Sequence, residues 1–107
     1  MNSTHFLERF ECIANISALM LDAARAENWH KVDQLKERAH DVINEVRALS
    51  TTVTLTTEER REKLRSMQRI LINDGKIREA AQPWLRRVAR WLPAGAAATG
   101  PFGRILR

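Results

Sequence analysis

Apolar positions in the first part of the chain recur at steps of three and four residues. That spacing stacks side chains on one face of a helix, and the row consists of Phe6, Phe10, Ile13, Ile16, Met20, Ala23 and Ala24. A second row, formed by Leu7, Ala14 and Leu21, widens the same face. The pattern therefore predicts an amphipathic helix over residues 3–26.

A second helix is predicted over residues 29–49, with Asn28 suited to cap its start. Its apolar positions keep an unbroken 3-4-3-4-3 spacing, which is typical of an antiparallel bundle seam; they are Val32, Leu35, Ala39, Val42, Val46 and Leu49. Because the connection between the two helices is short, we expect them to be antiparallel neighbours. Trp29 is expected to close that end of the bundle.

Residues 50–57 are rich in threonine and are interpreted as a loop, since a lone strand would have no partner. Thr56 followed by Glu59 matches a capping box, in which the hydroxyl accepts a backbone N–H and the carboxylate reaches back. Glu58 and Glu59 also suit the positive end of a helix. A third helix is therefore predicted to begin here.

The third helix has no strong stop signal before Leu92 and Pro93. Gly75 should weaken it by about 1 kcal/mol relative to alanine. Pro83 removes a backbone hydrogen bond and predicts a kink. At 1.5 Å per residue this helix is roughly 55 Å long, against roughly 35 and 30 Å for the first two. We expect it to run back alongside the second helix and to extend beyond its neighbours after about Ile77–Ala80.

These elements predict an all-α fold, an antiparallel three-helix bundle or hairpin with a long, Pro-kinked third helix. Residues 1–92 are predicted to form the helical domain. Residues 93–107, rich in Gly, Ala and Pro and carrying two arginines, are predicted to form a flexible basic tail.

The third helix carries an apolar arc about 160° wide, broader than the ~100° stripe of a surface helix. One row repeats every seven residues at Ile70, Ile77, Trp84 and Trp91, and a second row is Leu64, Leu71, Leu85 and Leu92. Asp74 and Arg78 interrupt the arc at a spacing that allows them to pair. An uncovered arc of this width predicts one of three outcomes: folding back at Pro83, dimerisation, or binding of a partner.

The tryptophan segment leaves two interpretations open. Trp84, Val88 and Trp91 either pack within the chain or line an intermolecular contact, where aromatic residues and arginine are favoured. Arg86, Arg87 and Arg90 form either a solvated helix face or a contact with an acidic partner or lipid headgroups.

Charge is distributed unevenly along the chain. Residues 1–79 hold thirteen Lys/Arg and thirteen Asp/Glu, so the net charge of +5 lies in the last 28 residues. A basic end invites nucleic-acid binding or docking on a membrane surface as alternatives. Direct nucleic-acid binding is not expected, because the body is neutral and the arginines share their segment with an apolar arc.

The remaining composition argues against several classes of protein. Cys12 is the single cysteine, so no internal disulfide is possible, which fits a cytoplasmic protein. No stretch of eighteen apolar residues exists, so stable membrane insertion is not expected, and charges near the N-terminus argue against a signal peptide. Cys12 and His5 are too few for a zinc site. No nucleotide-binding or hydrolase motif occurs. We therefore expect no enzyme activity and no cofactor or metal.

Two segments, "AENWHKVDQL" (26–35) and "RILINDGKIREAAQPWLRRVARWL" (69–92), resemble the flagellar protein FliT family, small helical chaperones of flagellar type III export. The likeness covers about residues 5–92. The residues that carry it are Trp29, Leu35, Ile70, Leu71, Asn73, Asp74, Ile77, Arg78, Pro83, Trp84 and Leu85.

The resemblance implies a function and partners. Such a protein holds the filament-cap protein FliD, through its C-terminal helix, soluble and unpolymerised in the cytoplasm. It passes this cargo to the export ATPase complex and to the export gate FlhA. In some bacteria the same chaperone also restrains the flagellar master transcription regulator, and a C-terminal segment of the family's proteins can cover binding surfaces.

The apolar arc and the resemblance together predict helix-in-groove recognition, with the second helix as the groove wall. The predicted contact residues are Leu64, Ile70, Leu71, Ile77, Trp84, Leu85, Val88 and Trp91. Rim charges would come from Arg78, Arg86 and Arg87.

Overall fold

The computed structural model of the chain describes the backbone of residues 3–88 and the side chains of residues 3–82. It contains three α-helices: α1 (Ser3–Arg25), α2 (Trp29–Ser50) and α3 (Thr57–Val88). Within residues 3–88 there is no strand, so the described chain is all-α, as the sequence predicts. α3 is continuous through Gly75 and Pro83. The predicted tail, residues 93–107, lies outside the described residues.

Helix α1 lies between the other two helices and packs against both. Its buried residues are Phe6, Phe10, Ile13, Ala14, Ile16, Ser17, Met20, Leu21, Ala23 and Ala24. Helical spacing spreads these positions over about half of the helix circumference. α1 therefore offers one apolar flank to each neighbour.

The predicted placement of α3 alongside α2 is wrong. α3 packs against α1, and over the described residues α2 and α3 bring hardly any backbone positions close together. α2 has one narrow buried stripe, consisting of Val32, Leu35, Ala39, Val42, Ile43 and Val46, and packing against α1 covers it. Leu7 of α1 lines a groove shared with α3, and Ala14 and Leu21 continue its helical row. The second apolar row of α1 thus supplies the surface for α3.

Pairwise contacts give the helix directions. Arg9, early in α1, lies 4.0 Å from Glu45, late in α2, so α2 returns along α1. Against α3, the amide of Asn15 accepts a hydrogen bond from Arg69 and the hydroxyl of Ser17 accepts one from Asn73. In these two hydrogen-bonded pairs the residue numbers of α1 and α3 rise together, so α3 runs in the same direction as α1.

The far end of α3 extends past the end of α1. The two hydrogen bonds between these helices join residues 54 and 56 apart, which places Arg25, the last residue of α1, level with about Ala81. The backbone of residues 82–88 therefore continues about 10 Å beyond α1. We call residues 82–88 the overhang. The helix lengths predicted that α3 would extend past the helix beside it. That neighbour was predicted to be α2, whereas in the structure it is α1.

A buried polar contact fixes α3 against α1. Ser17 is fully buried, and its hydroxyl donates to the carbonyl of Ala14 at 2.6 Å. The same oxygen accepts from the side-chain amide of Asn73 at 2.9 Å. Since a buried polar group is costly unless it is bonded, this arrangement favours one register of α3 on α1.

The turn between α1 and α2 has a left-handed residue. Glu27 has φ 57°. The N–H of Asn28 donates to the carbonyl of Ala23 at 2.9 Å, and the N–H of Glu27 donates to that of Ala24 at 3.0 Å. These bonds form a Schellman motif with glutamate at the position where glycine is usual. Asn28 then caps α2, since its side-chain oxygen accepts the N–H of Lys31, and this predicted cap is confirmed.

The predicted capping box at the start of α3 is also confirmed. The N–H of Glu59 donates to the hydroxyl of Thr56 at 3.2 Å, and the N–H of Thr56 donates to the Glu59 carboxylate at 2.9 Å. Hydrogen bonds from the Ser3 side chain, then from the Thr56 backbone, hold the pKa of Glu59 below its usual value of 4.5. The Glu59 carboxylate thus contacts the start of α1 as well as that of α3.

Replacing Glu27 with glycine should stabilise the chain. Glycine adopts positive φ without the steric penalty that Glu27 carries, so we expect Glu27→Gly to raise the free energy of unfolding by about 1 kcal/mol. Equilibrium urea denaturation measures this change. Glu27→Ala is the matched control, because it removes the carboxylate but keeps the strained side chain. Equal stabilisation by both variants would contradict the assignment of strain to this turn.

The capping contribution of Glu59 should depend on pH. Because folding lowers the pKa of Glu59, the ionised carboxylate adds stability above pH 4.5, and this stability is lost as the pH falls through the lowered value. Wild type should therefore be more stable than Glu59→Gln at pH 7, and the difference should shrink as the pH falls below 4.5. Denaturation at several pH values tests this. Glu58→Gln controls for charge at the helix start, and a pH-independent difference would contradict the prediction.

Candidate partner-binding surface

The outward side of α3 carries an uncharged strip. Leu64, Gln68, Leu71, Gly75 and Gln82 share one side of the helix by their spacing, and we call these five residues the leucine face. Leu64 is 53% exposed and Leu71 is 50% exposed. Two large apolar side chains are therefore half open to water on a surface without a charged member.

Charged residues border the leucine face along both edges. By helical position, Arg60 and Arg78 lie on one edge, and Arg61 and Glu79 on the other; all four are exposed. Three of these four charges are positive. A partner with apolar residues flanked by acidic ones would complement this surface.

Arg78 is held at its edge by Asp74. The Nε atom of Arg78 lies 3.8 Å from a carboxylate oxygen of Asp74, which confirms the predicted pair. The Asp74 side chain is 5% exposed and that of Arg78 is 45% exposed. The buried carboxylate thus restricts an arginine that reaches the surface.

Some of the predicted contact residues are exposed in the structure, and others are buried. Leu64, Leu71 and Arg78 are exposed, as a contact surface requires. Ile70 and Ile77 are buried in the core of the chain, at 0% and 3% exposure, so their predicted role in partner contact is corrected to a role in core packing. The physical reason is that α1 covers this side of α3.

The other predicted contacts lie at the end of α3. The helical backbone includes Trp84, Leu85, Arg86, Arg87 and Val88, but their side chains lie outside the described part of the structure. Trp91 lies wholly outside it. Their role in binding stays a prediction.

Sequence reasoning missed Gln68, Gly75 and Gln82 as parts of this surface. Gly75 was interpreted as a weak point in the helix, and the two glutamines were not interpreted at all. The signal that was available is the absence of charge at steps of four, seven, eleven and eighteen residues after Leu64.

A concave groove lies between α1 and α3, and the sequence did not predict it. This groove has a volume of about 620 Å³ and is lined by Thr4, Leu7, Glu8, Glu11, Glu59, Glu62, Arg65, Ser66 and Arg69. Its lining mixes four carboxylates with two guanidinium groups. It was missed because the sequence analysis paired α3 with α2 instead of α1.

The described residues also bear on metal binding and on membrane insertion. Among the side chains that the structure describes, no three His, Cys, Asp or Glu residues are grouped so that they could hold a metal ion. None of the helices in the described part is both long and apolar enough to span a membrane.

Comparison with known proteins assigns the family. The family model "Flagellar protein FliT" matches residues 7–94, a range that includes most of α1, all of α2 and α3, and the whole leucine face. No curated protein and no solved structure gives a significant match. FliT proteins are chaperones of flagellum biogenesis that act in flagellar export. Because the match covers more than half of its length, the chain belongs to the FliT family.

Proposed function

We propose that this protein is a cytoplasmic export chaperone for the filament-cap protein FliD. It binds the C-terminal helix of the cap protein, keeps that protein unpolymerised, and delivers it to the type III export apparatus through the export ATPase complex and the gate FlhA. Family membership supports the general chaperone role in flagellar export. The cargo and the receiving components are our proposal.

The observation that carries the proposal is the leucine face. Half-exposed Leu64 and Leu71, on a strip without charge, form an apolar surface of the kind that binds an amphipathic helix. Because α2 does not lie beside this face, the surface is a ridge along α3. The cargo helix therefore packs beside α3 as an additional helix of the bundle.

Energetics require a contact longer than the leucine face. Burying the exposed halves of Leu64 and Leu71 contributes about 1 kcal/mol each, whereas a micromolar complex needs about 8 kcal/mol. The contact therefore extends along α3 to the overhang, where the backbone of residue 84 lies beyond the end of α1. In the sequence, Leu85 continues the row of Leu64 and Leu71 into this end of α3.

The required cargo length follows from this path. From Leu64 to Leu85 is about 30 Å of helix, so the cargo needs about 20 helical residues. A free amphipathic helix of that length exposes an apolar face that promotes self-association. Covering the face along α3 keeps the cargo monomeric until export.

Substitutions on the leucine face should weaken cargo binding without unfolding the chaperone. We expect Leu64→Asp with Leu71→Asp to weaken the affinity for purified FliD at least tenfold, because two carboxylates replace the apolar contacts. Isothermal titration calorimetry measures the affinity, and circular dichroism checks the fold. Leu85→Asp, made alone, tests the overhang.

Leu19→Asp is the matched control and is compared with Leu71→Asp alone. Leu19 is 49% exposed, like Leu71 at 50%, but it lies on α1 and not on α3. We expect the control to bind within twofold of wild type. Equal weakening by Leu19→Asp and Leu71→Asp, or no weakening by either the leucine pair or Leu85→Asp, would show that the cargo binds elsewhere.

A further inference from the structure

Gly75 has no structural requirement within the chain. It lies inside α3, where glycine is among the least favourable residues. Its φ is not in the left-handed region, so the backbone does not need glycine. Apart from its two chain neighbours and the adjacent backbone of α3, the nearest heavy atom to a Cβ built at this position is Arg78 Nη2, at 4.0 Å. Alanine would therefore fit the free chain better.

What glycine provides here is a notch in the leucine face. Leu71 lies one turn before Gly75 and is half exposed, so a projecting side chain is followed by a partly exposed residue with no side chain. The distance between two packed helices depends on the side chains at their contact. A partner helix that crosses α3 at Gly75 can approach closely, and glycine is the residue that permits close approach.

Arg78 lies at the border of the notch. Its Nη2 atom is within 4.0 Å of the Cβ position of residue 75, and its Nε atom is held by Asp74 at 3.8 Å. A side chain that is already positioned loses less freedom on binding. The arginine is thus placed to meet a carboxylate carried by a helix seated in the notch.

The edge charges favour a different protein over a second copy of this chain as the occupant. Arg60, Arg61 and Arg78 outnumber Glu79 along the two edges. If two leucine faces packed together, these arginines would approach one another, and like charges in close contact disfavour the pairing. A helix with acidic flanks would instead be attracted.

We propose that the cargo helix crosses α3 at Gly75, with a small residue (Gly, Ala or Ser) over the notch and an Asp or Glu beside Arg78. This inference rests on the proposed chaperone function and adds its crossing point and the chemistry of the partner. Gly75 is a specificity-determining residue that lowers the stability of the free chaperone and permits the close contact.

Gly75→Ala separates stability from binding. We expect the variant to raise the melting temperature by about 4–8 °C, because alanine favours the helix, and to weaken binding at least fivefold. Gly75→Leu should weaken it at least thirtyfold. The probe is a fluorescein-labelled peptide of the C-terminal helix of FliD, measured by fluorescence anisotropy. Lys76→Ala, off the leucine face, is the control and should bind like wild type.

The outcomes distinguish this inference from the proposed function. If wild type binds the peptide and Gly75→Ala binds equally well or more tightly, the crossing point is wrong and the chaperone role stands. If wild type binds neither the peptide nor intact FliD, both are overturned. Light scattering should show a monomer; a wild-type dimer that Gly75→Ala dissociates would assign the notch to a second copy and overturn the inference.

Discussion

The structure depends on the two-sided apolar surface of α1. Phe10, Ser17 and Met20 are buried because helices cover α1 on both flanks. Burial of such a wide arc removes a large apolar area from water, and this area is the main favourable term in folding. With α1 in the middle, α2 and α3 need not touch, and each keeps an outer side open.

The attachment of α3 explains how one helix can serve both packing and binding. Over residues 57–82, its buried positions are Ile70, Asp74 and Ile77, a narrow line supported by the hydrogen bond between Asn73 and Ser17. Lys63 adds a contact over the rings of Phe6 and Phe10, at 5.8 and 5.5 Å. A narrow attachment leaves much of the helix circumference available, and the leucine face occupies part of it.

The local features of the fold could be predicted from the sequence. The Asn28 cap and the Thr56–Glu59 capping box were predicted correctly, because each depends on residues three positions apart. The Asp74–Arg78 pair was also predicted, because residues four positions apart on a helix are neighbours. The pairing of α3 with α1 could not be predicted, because helical periodicity shows which face is apolar and not which helix covers it. That single uncertainty also placed Ile70 and Ile77 on the binding surface instead of in the core. The left-handed Glu27 had no signal, since glutamate is unusual there.

The shared carboxylate of Glu59 has a consequence for how the molecule opens. Since α1 and α3 run in the same direction, their first turns lie at the same end, and Glu59 bonds to Ser3 of α1 and to Thr56, the residue that caps α3. Fraying of either terminus breaks a bond on which the other depends. The opening turns of the two helices thus come apart together, although more than fifty residues separate them in the chain.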